Sequence, residues 1–171
     1  MYCVQCATPL VERLLETEDR PRLVCDNCGY IHYYNPKVVA GTFPIWNGQV
    51  WLLRRGIEPR VGYWSHPAGY QEVGESTEEG AVRETLEEMG LPVRLSGLLG
   101  VYSRAIAPVV NIVYLAELID PDSRPHTTPE ALEVAAFTPE TIPWAHIAFP
   151  STAAALRDWV AGRLLGEGPV S

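Results

Sequence analysis

Residues 69–91 of the chain read GYQEVGESTEEGAVRETLEEMGL. The skeleton of this stretch is Gly69, five residues, Glu75, seven residues, Arg83-Glu84, two residues, Glu87-Glu88, one residue, Gly90-Leu91. On an α-helix, residues three and four apart are neighbours, and Glu84, Glu87 and Glu88 have that spacing. Their mean direction lies nearly opposite that of Val82, Leu86 and Met89. One face is therefore expected to bury these three apolar residues while the other presents three carboxylates. Like charges on one face repel. A hard cation with oxygen ligands would offset that repulsion, and a solvated acidic face is the alternative. Ser76 and Glu79 have capping-box spacing and Gly90 is a C-terminal stop, which predicts a helix over 76–89. Glu79 and Arg83 form an i,i+4 pair. Arg83 lies about two turns from Glu75 and can tie the preceding loop to the helix. His66-Pro67-Ala68-Gly69-Tyr70 reads as a breaker-rich loop.

The stretch resembles the signature of the Nudix hydrolases, Gly-x5-Glu-x7-Arg-Glu-U-x-Glu-Glu-x-Gly-U, where U is a bulky aliphatic residue. Gly69, Glu75, Arg83, Glu84, Glu87, Glu88, Gly90 and Leu91 match; Thr85, at the first U position, departs. Thr is close to Val in size, so the packing role survives, but its hydroxyl needs a partner.

The four cysteines are Cys3-x2-Cys6, eighteen residues, and Cys25-x2-Cys28. Two such pairs can close a tetrahedral zinc site, and the gap is that of a zinc ribbon. Two disulfides in a secreted protein would be the alternative. The start, Met1-Tyr2-Cys3, has no basic region or apolar stretch, so no signal peptide is expected, and a reducing cytoplasm disfavours disulfides. With all four ligands cysteine, the zinc is expected to be structural. A zinc ribbon over 1–34 is followed at Asn35-Pro36 by a domain over 35–168, read as the Nudix hydrolase domain.

The chain of 171 residues carries 21 acidic and 13 basic side chains, a formal charge of −8. Phosphate-backbone binding relies on clustered Lys and Arg, so nucleic acid is disfavoured as a partner. No run is long enough to span a membrane. The expected partner is a small-molecule nucleotide, and the oligomeric state is open, a homodimer included.

Apolar runs at 37–45 and 49–53 flank Trp46-Asn47-Gly48, a hairpin signal. Further strands are expected at 93–105, 109–118 and 133–137, the first two joined near Pro108. A C-terminal helix over 151–165 opens at Pro150-Ser151 and carries an apolar stripe of Ala153, Leu156, Val160 and Leu164. Residues 166–171 are expected to fray. Mixed strands with two helices predict an α/β fold with the sheet covered on both faces. The resemblance, which spans 37–165, implies the Nudix α/β/α sandwich with a mixed sheet.

The resemblance also implies an enzyme that hydrolyses the diphosphate of a nucleoside diphosphate linked to another moiety. Mg²⁺ or Mn²⁺ would sit on Glu84, Glu87 and Glu88, with Arg83 and Glu75 completing the catalytic set. The general base is a box glutamate or one from a later loop, Glu133 first and Glu130 second. Ribbon-bearing relatives include NADH pyrophosphatases, marked by Ser-Gln-Pro-Trp-Pro-Phe-Pro after the box. That mark is absent at 97–105. Enzymes acting on ADP-ribose or FAD form the other kind. This chain resembles them at Cys25–Gly29 leading to Asn35–Val39, at Tyr63–Tyr70, at Pro129–Glu133 and at Ile142-Pro143-Trp144. The expected reaction is therefore cleavage of ADP-ribose or FAD to AMP and a phosphomonoester. NADH hydrolysis, a non-catalytic nucleotide sensor and a zinc-ribbon adaptor are the alternatives. Arg54, Arg55, Gly69, Arg104 and Tyr102 are candidate substrate contacts. Trp64 could stack on adenine, and His66 could contact phosphate or pack against the loop.

Overall fold

The structure is a computed structural model and describes residues 1–163. The chain divides into two compact units, Met1–Pro36 and Lys37–Ser171. The end of the apolar stripe at Leu164, and the frayed 166–171, lie outside the described residues.

The first unit is a three-stranded antiparallel sheet of β1 (Leu10–Arg13), β2 (Arg22–Cys25) and β3 (Ile31–His32), in that order. Each Cys-x2-Cys pair sits on a tight turn. Ala7 N–H donates to Cys3 O and Gly29 N–H to Cys25 O, both at 2.9 Å. Both closing residues take positive φ, 57° for Ala7 and 72° for Gly29. These two turns bring the four thiols round to one point.

The second unit has a mixed sheet. Its long strands are β4 (Lys37–Trp46), β5 (Gln49–Arg55), β8 (Val93–Ser103), β9 (Val109–Leu118) and β10 (Ala131–Phe137), ordered β10-β5-β4-β9-β8. Short strands β6 (Trp64–Ser65) and β7 (Ala68–Tyr70) pair with β5 and β4. The β4–β9 pair is parallel and the other pairs are antiparallel. The helices are α1 (Thr77–Met89) and α2 (Pro150–Val160), with a 3₁₀ turn at Trp144–His146.

Strand alternation puts a helix on each face. Ala40 and Tyr114 pack with Ala81 of α1. Phe43, Val113 and Leu52 pack with Ala155 and Leu156 of α2. Residues of opposite parity on β4 and β9 thus serve opposite layers, which gives the expected α/β/α sandwich. The Asn47-Gly48 hairpin forms as expected, with both residues at positive φ (50° and 74°), the requirement of a type I′ turn.

Four expectations need correction. The breaker-rich loop contains a strand, because β7 pairs Ala68, Gly69 and Tyr70 with Gly41, Ala40 and Val39. A Cβ on Gly41 would overlap Ala68 Cβ, so the missing side chain admits the pairing. The C-terminal helix ends at Val160 rather than 165, and Gly162 at φ 67° breaks it. The 133–137 strand begins earlier, at Ala131. The buried face of α1 is also rotated from the expected Val82–Leu86–Met89 face. Leu86 is 51% exposed, while Ala81, Thr85, Glu88 and Met89 are buried. The sheet surface over β4 is small and partly polar. It takes Thr85, whose hydroxyl lies 2.6 Å from that of Thr42 and donates to Ala81 O at 2.7 Å. Thr in place of an aliphatic residue therefore finds its partner on β4.

Candidate metal and diphosphate site

A capping box fixes the start of α1. Glu79 N–H donates to Ser76 Oγ at 3.2 Å, and Ser76 N–H donates to Glu79 Oε2 at 2.8 Å. Gly90, at φ 66°, ends the helix and its N–H donates to Leu86 O.

Arg83 organises the acidic side. Its Nε and Nη2 donate to the two oxygens of Glu75 at 3.0 and 2.8 Å, a bidentate pair. Its Nη1 donates to Glu84 Oε1 at 2.7 Å and Glu87 Oε2 at 3.1 Å, and Nη2 also reaches Tyr70 O at 3.3 Å. The Arg83 guanidinium, helped by the Glu72 N–H, holds Glu75 well below the usual carboxylate range, at about 2. The loop carrying Glu75 is thus pinned to the helix, as its spacing predicted. Gly80 is part of this arrangement and was not legible as such. A Cβ there would meet Glu75 Oε1 at 2.8 Å. The available signal was a glycine in mid-helix, which costs roughly 1 kcal/mol against Ala and calls for a packing reason.

The three helix carboxylates occupy different surroundings. Glu87 is exposed. Glu84 is largely covered, and a Cβ on Gly69 would overlap its carboxylate. Burial raises Glu84 against the pull of Arg83. Glu88 is 8% exposed. Burial pushes its carboxyl up to about 8, opposed by the Ala68 N–H, which donates to Oε2 at 2.9 Å. The three carboxylates do not converge in this conformation, because Glu84 and Glu87 turn to Arg83. Among the described residues, the four cysteines are the group of metal-ligand type whose ligand atoms all lie within 4.8 Å of one another. By donor chemistry the carboxylates suit a hard divalent cation, and among the described residues the desolvated Glu88 has no hydrogen-bonded cationic partner.

The two later-loop carboxylates differ in placement. A register shift between Ala131 and Glu133 opposes Ala131 to Arg55 and Glu133 to Arg54. Arg55 has the parity of Leu53, which packs with Met89 of α1, and Arg54 that of Leu52, which packs with α2. Glu133 therefore lies on the face away from α1, where it meets Arg54 Nη1 at 3.4 Å. The negative charge of Glu130 does bear on Glu84 and Glu88, raising both. Glu133 thus faces Arg54 and not the box, because a bulge inverts the strand's parity and leaves no mark in composition.

The other candidate contacts divide in the same way. Arg55 is half-buried, its proton affinity lowered by that burial. Its Nε donates to Pro59 O at 2.9 Å, its Cζ lies 4.9 Å from the Phe149 ring centre, and its charge acts on Glu88. Arg54 faces Glu133 and Gly62 O. Arg104 is exposed in the turn after β8. Tyr102 and Trp64 are engaged with core neighbours. The Tyr102 hydroxyl donates to Asp158 at 3.0 Å, and Trp64 meets Phe137 edge-on at 4.9 Å. His66 is buried rather than open to a phosphate. A cavity of about 380 Å³ among Trp46, Leu115, Glu117 and Trp159 contains none of the box residues.

In the first unit, Sγ separations are 3.6 Å for Cys3–Cys28, 3.4 Å for Cys6–Cys25 and 3.6 Å for Cys6–Cys28. These exclude disulfides, whose S–S bond is about 2.05 Å. They suit a tetrahedral ion with Zn–S bonds of about 2.3 Å.

A family model described as NUDIX domain matches residues 35–160, and one described as Nudix N-terminal, a zinc ribbon, matches 1–34. A crystal structure of a NUDIX hydrolase from Nitrosomonas europaea is 38% identical, with a TM-score of 0.87, covering 95% of this chain and 91% of that one. An ADP-ribose pyrophosphatase from Methanocaldococcus jannaschii is 34% identical over 53% of this chain and 56% of its own length. A NAD-capped RNA hydrolase, NudC, from Chromobacterium violaceum is 30% identical over 72% of this chain and 45% of its own. The chain thus spans about half the length of these two curated relatives.

Proposed function

Since this chain belongs to the Nudix family, we propose that it hydrolyses the diphosphate of a nucleoside diphosphate linked to another moiety, with ADP-ribose or FAD preferred and AMP plus a phosphomonoester as products. The single observation carrying this reading is the intact box, held in one hydrogen-bonded set around Arg83 with Glu88 beneath it.

Glu84, Glu87 and Glu88 are the proposed ligands of Mg²⁺ or Mn²⁺. When bound, such a cation neutralises diphosphate oxygens and acidifies water. The chain's own residues do the rest. Arg83 and Glu75 hold the loop against α1, and the absence of a side chain at Gly69 gives Glu84 its place. Half-buried Arg55 offers its Nη groups to a phosphate beside Glu88. Glu130 is the proposed outside base, ahead of Glu133. The thiol set is proposed to hold structural zinc. The domains are proposed as 1–34 and 35–168, a division supported by the compact units Met1–Pro36 and Lys37–Ser171. Among the described residues no helix is long and apolar enough to cross a membrane. Four free thiols favour a reducing, cytoplasmic setting.

A second reading, hydrolysis of NAD-type dinucleotides, draws on the NudC relative, which aligns over more of this chain than the ADP-ribose pyrophosphatase does. The missing Ser-Gln-Pro-Trp-Pro-Phe-Pro mark weighs against it. Specificity is a ratio of kcat/KM values. Side-by-side rates on ADP-ribose, FAD, NADH and a nucleoside triphosphate with Mg²⁺, with products identified, decide between the readings. A clear lead for NADH or the triphosphate overturns the first.

A further inference from the structure

A row of buried polar side chains lies between the sheet and α2, close to the box. Asn111 of β9 and Thr152 of α2 flank His66, and all three are at most 6% exposed. Asn111 Nδ2 lies 3.4 Å from His66 Nε2, Thr152 Oγ1 lies 3.2 Å from His66 Nδ1, and Thr152 Oγ1 lies 3.5 Å from Ser65 Oγ. The directions are consistent in one sense. Asn111 donates to Nε2, the Nδ1 proton goes to Thr152, and the Thr152 and Ser65 hydroxyls share a contact. A buried imidazole with a partner on each nitrogen cannot rotate without stranding polar atoms, which costs about 1–3 kcal/mol each. Phe43 closes its side, edge-on at 5.3 Å.

The peptide that follows is equally confined. Thr42 N–H donates to Pro67 O at 3.1 Å. A Cβ on Gly41 would come within 2.9 Å of His66 Cδ2 and would overlap Ala68 Cβ. The next amide, Ala68 N–H, is the donor to Glu88 Oε2.

We infer that His66 is a positioning residue: clamped between Thr152 and Asn111, it fixes the Pro67–Ala68 peptide so that the Ala68 N–H holds Glu88 in its orientation toward the cation. The imidazole acts through the backbone and touches no substrate. The inference rests on the proposed role of Glu88 as a ligand, and its test reads geometry separately from turnover.

Thr152→Val keeps the shape and removes the Nδ1 partner, and Thr152→Ser restores the hydroxyl. In the zinc-loaded full chain without Mg²⁺ or Mn²⁺, Thr152→Val should speed exchange of the Ala68 amide by about 10-fold or more, with Thr152→Ser near wild type. Mn²⁺ titration followed by electron paramagnetic resonance should show affinity weakened by roughly 10-fold, the scale of losing an outer partner of a metal ligand. kcat should fall with KM little changed. Asn111→Leu cuts the same row from β9 and decides the matter if Thr152→Val does not fold. Wild-type Ala68 exchange and Mn²⁺ affinity in the folded variants, with only a lowered melting temperature, would overturn the inference. Weakened Mn²⁺ binding in the variants, in a chain whose wild type cleaves no diphosphate, would leave the inference standing and remove the proposed reaction.

Discussion

Glu87 and Glu88 are adjacent in sequence and differ in dielectric surroundings. Glu87 is exposed and shares Arg83, whereas Glu88 lies under the Ala68 amide. Glu87→Gln and Glu88→Gln should each lower kcat by about 10²-fold or more, the scale of a strong electrostatic contribution. Their stabilities should diverge. A desolvated carboxylate is costly and a neutral amide less so, so zinc-loaded Glu88→Gln without Mg²⁺ or Mn²⁺ should melt higher than wild type at pH 8, while Glu87→Gln should stay close to it. Calorimetry beside steady-state kinetics checks both, and a Glu88 variant with normal turnover would show that the residue is not a ligand. His66 makes a prediction of opposite chemistry. Burial, together with the nearby Arg55 charge, lowers it from 6.5 to about 4. The folded state therefore binds this proton less readily than the unfolded state does. The contribution is complete above about pH 6.5 and is lost as the pH falls toward 4, on the order of 3 kcal/mol in all. Urea unfolding at pH 7 and 4.5 should show a larger acid loss in wild type than in His66→Gln, since the carboxylate contributions are common to both.

At the scale of elements, the start of α1 and the β4–β7 pairing hold the site. Ser76→Ala removes one half of the capping box and should cost about 1 kcal/mol, with activity retained if the rest of the box holds. Gly41→Ala is a different case. Its Cβ would collide with Ala68 Cβ and the Pro67 carbonyl, which are backbone-anchored and cannot swing away. Overpacking of this kind costs about 1–3 kcal/mol. Because the displaced peptide carries the Ala68 N–H, kcat should fall along with stability. Equal loss of stability in the two variants with unchanged turnover in both would show that β7 does not govern the site.

For the whole molecule, two ligand chemistries predict two separable metals. Four thiolates suit zinc, and carboxylates suit Mg²⁺ or Mn²⁺. Brief EDTA treatment should abolish activity, and Mg²⁺ should restore it while zinc stays near one per chain. Full activity without any added divalent cation would sink the carboxylate assignment. Cys3→Ser leaves three thiols for the ion and should unfold the first unit, since metal binding supplies the folding energy of so small a sheet. A chain beginning at Pro36 should retain α1 by circular dichroism. If it folds yet has lost all turnover, the first unit contributes to catalysis.

The local devices were legible in the sequence because they are short-range. The capping box at Ser76 and Glu79, the Gly90 stop, the Asn47-Gly48 hairpin and the Glu75–Arg83 tie each follow from spacing along one element or across one turn. The α/β class followed from the pattern of strands and helices, the Nudix sandwich from the box resemblance, and the paired Cys-x2-Cys turns from their own spacing. What lay beyond reach depends on which side of a strand faces which helix. Thr85, Ala81 and Glu88 rather than Leu86 turn inward because the sheet under α1 offers Thr42 and Ala40, facts of β4 rather than of the helix. One extra residue before Glu133 inverts the parity of β10 and carries that carboxylate to the far face. The row from Asn111 through His66 to Thr152 joins residues up to 86 positions apart. Sequence determined which residues could act, because backbone hydrogen bonding and side-chain periodicity are local; tertiary structure decided their surroundings, because burial and register are set by neighbours distant along the chain.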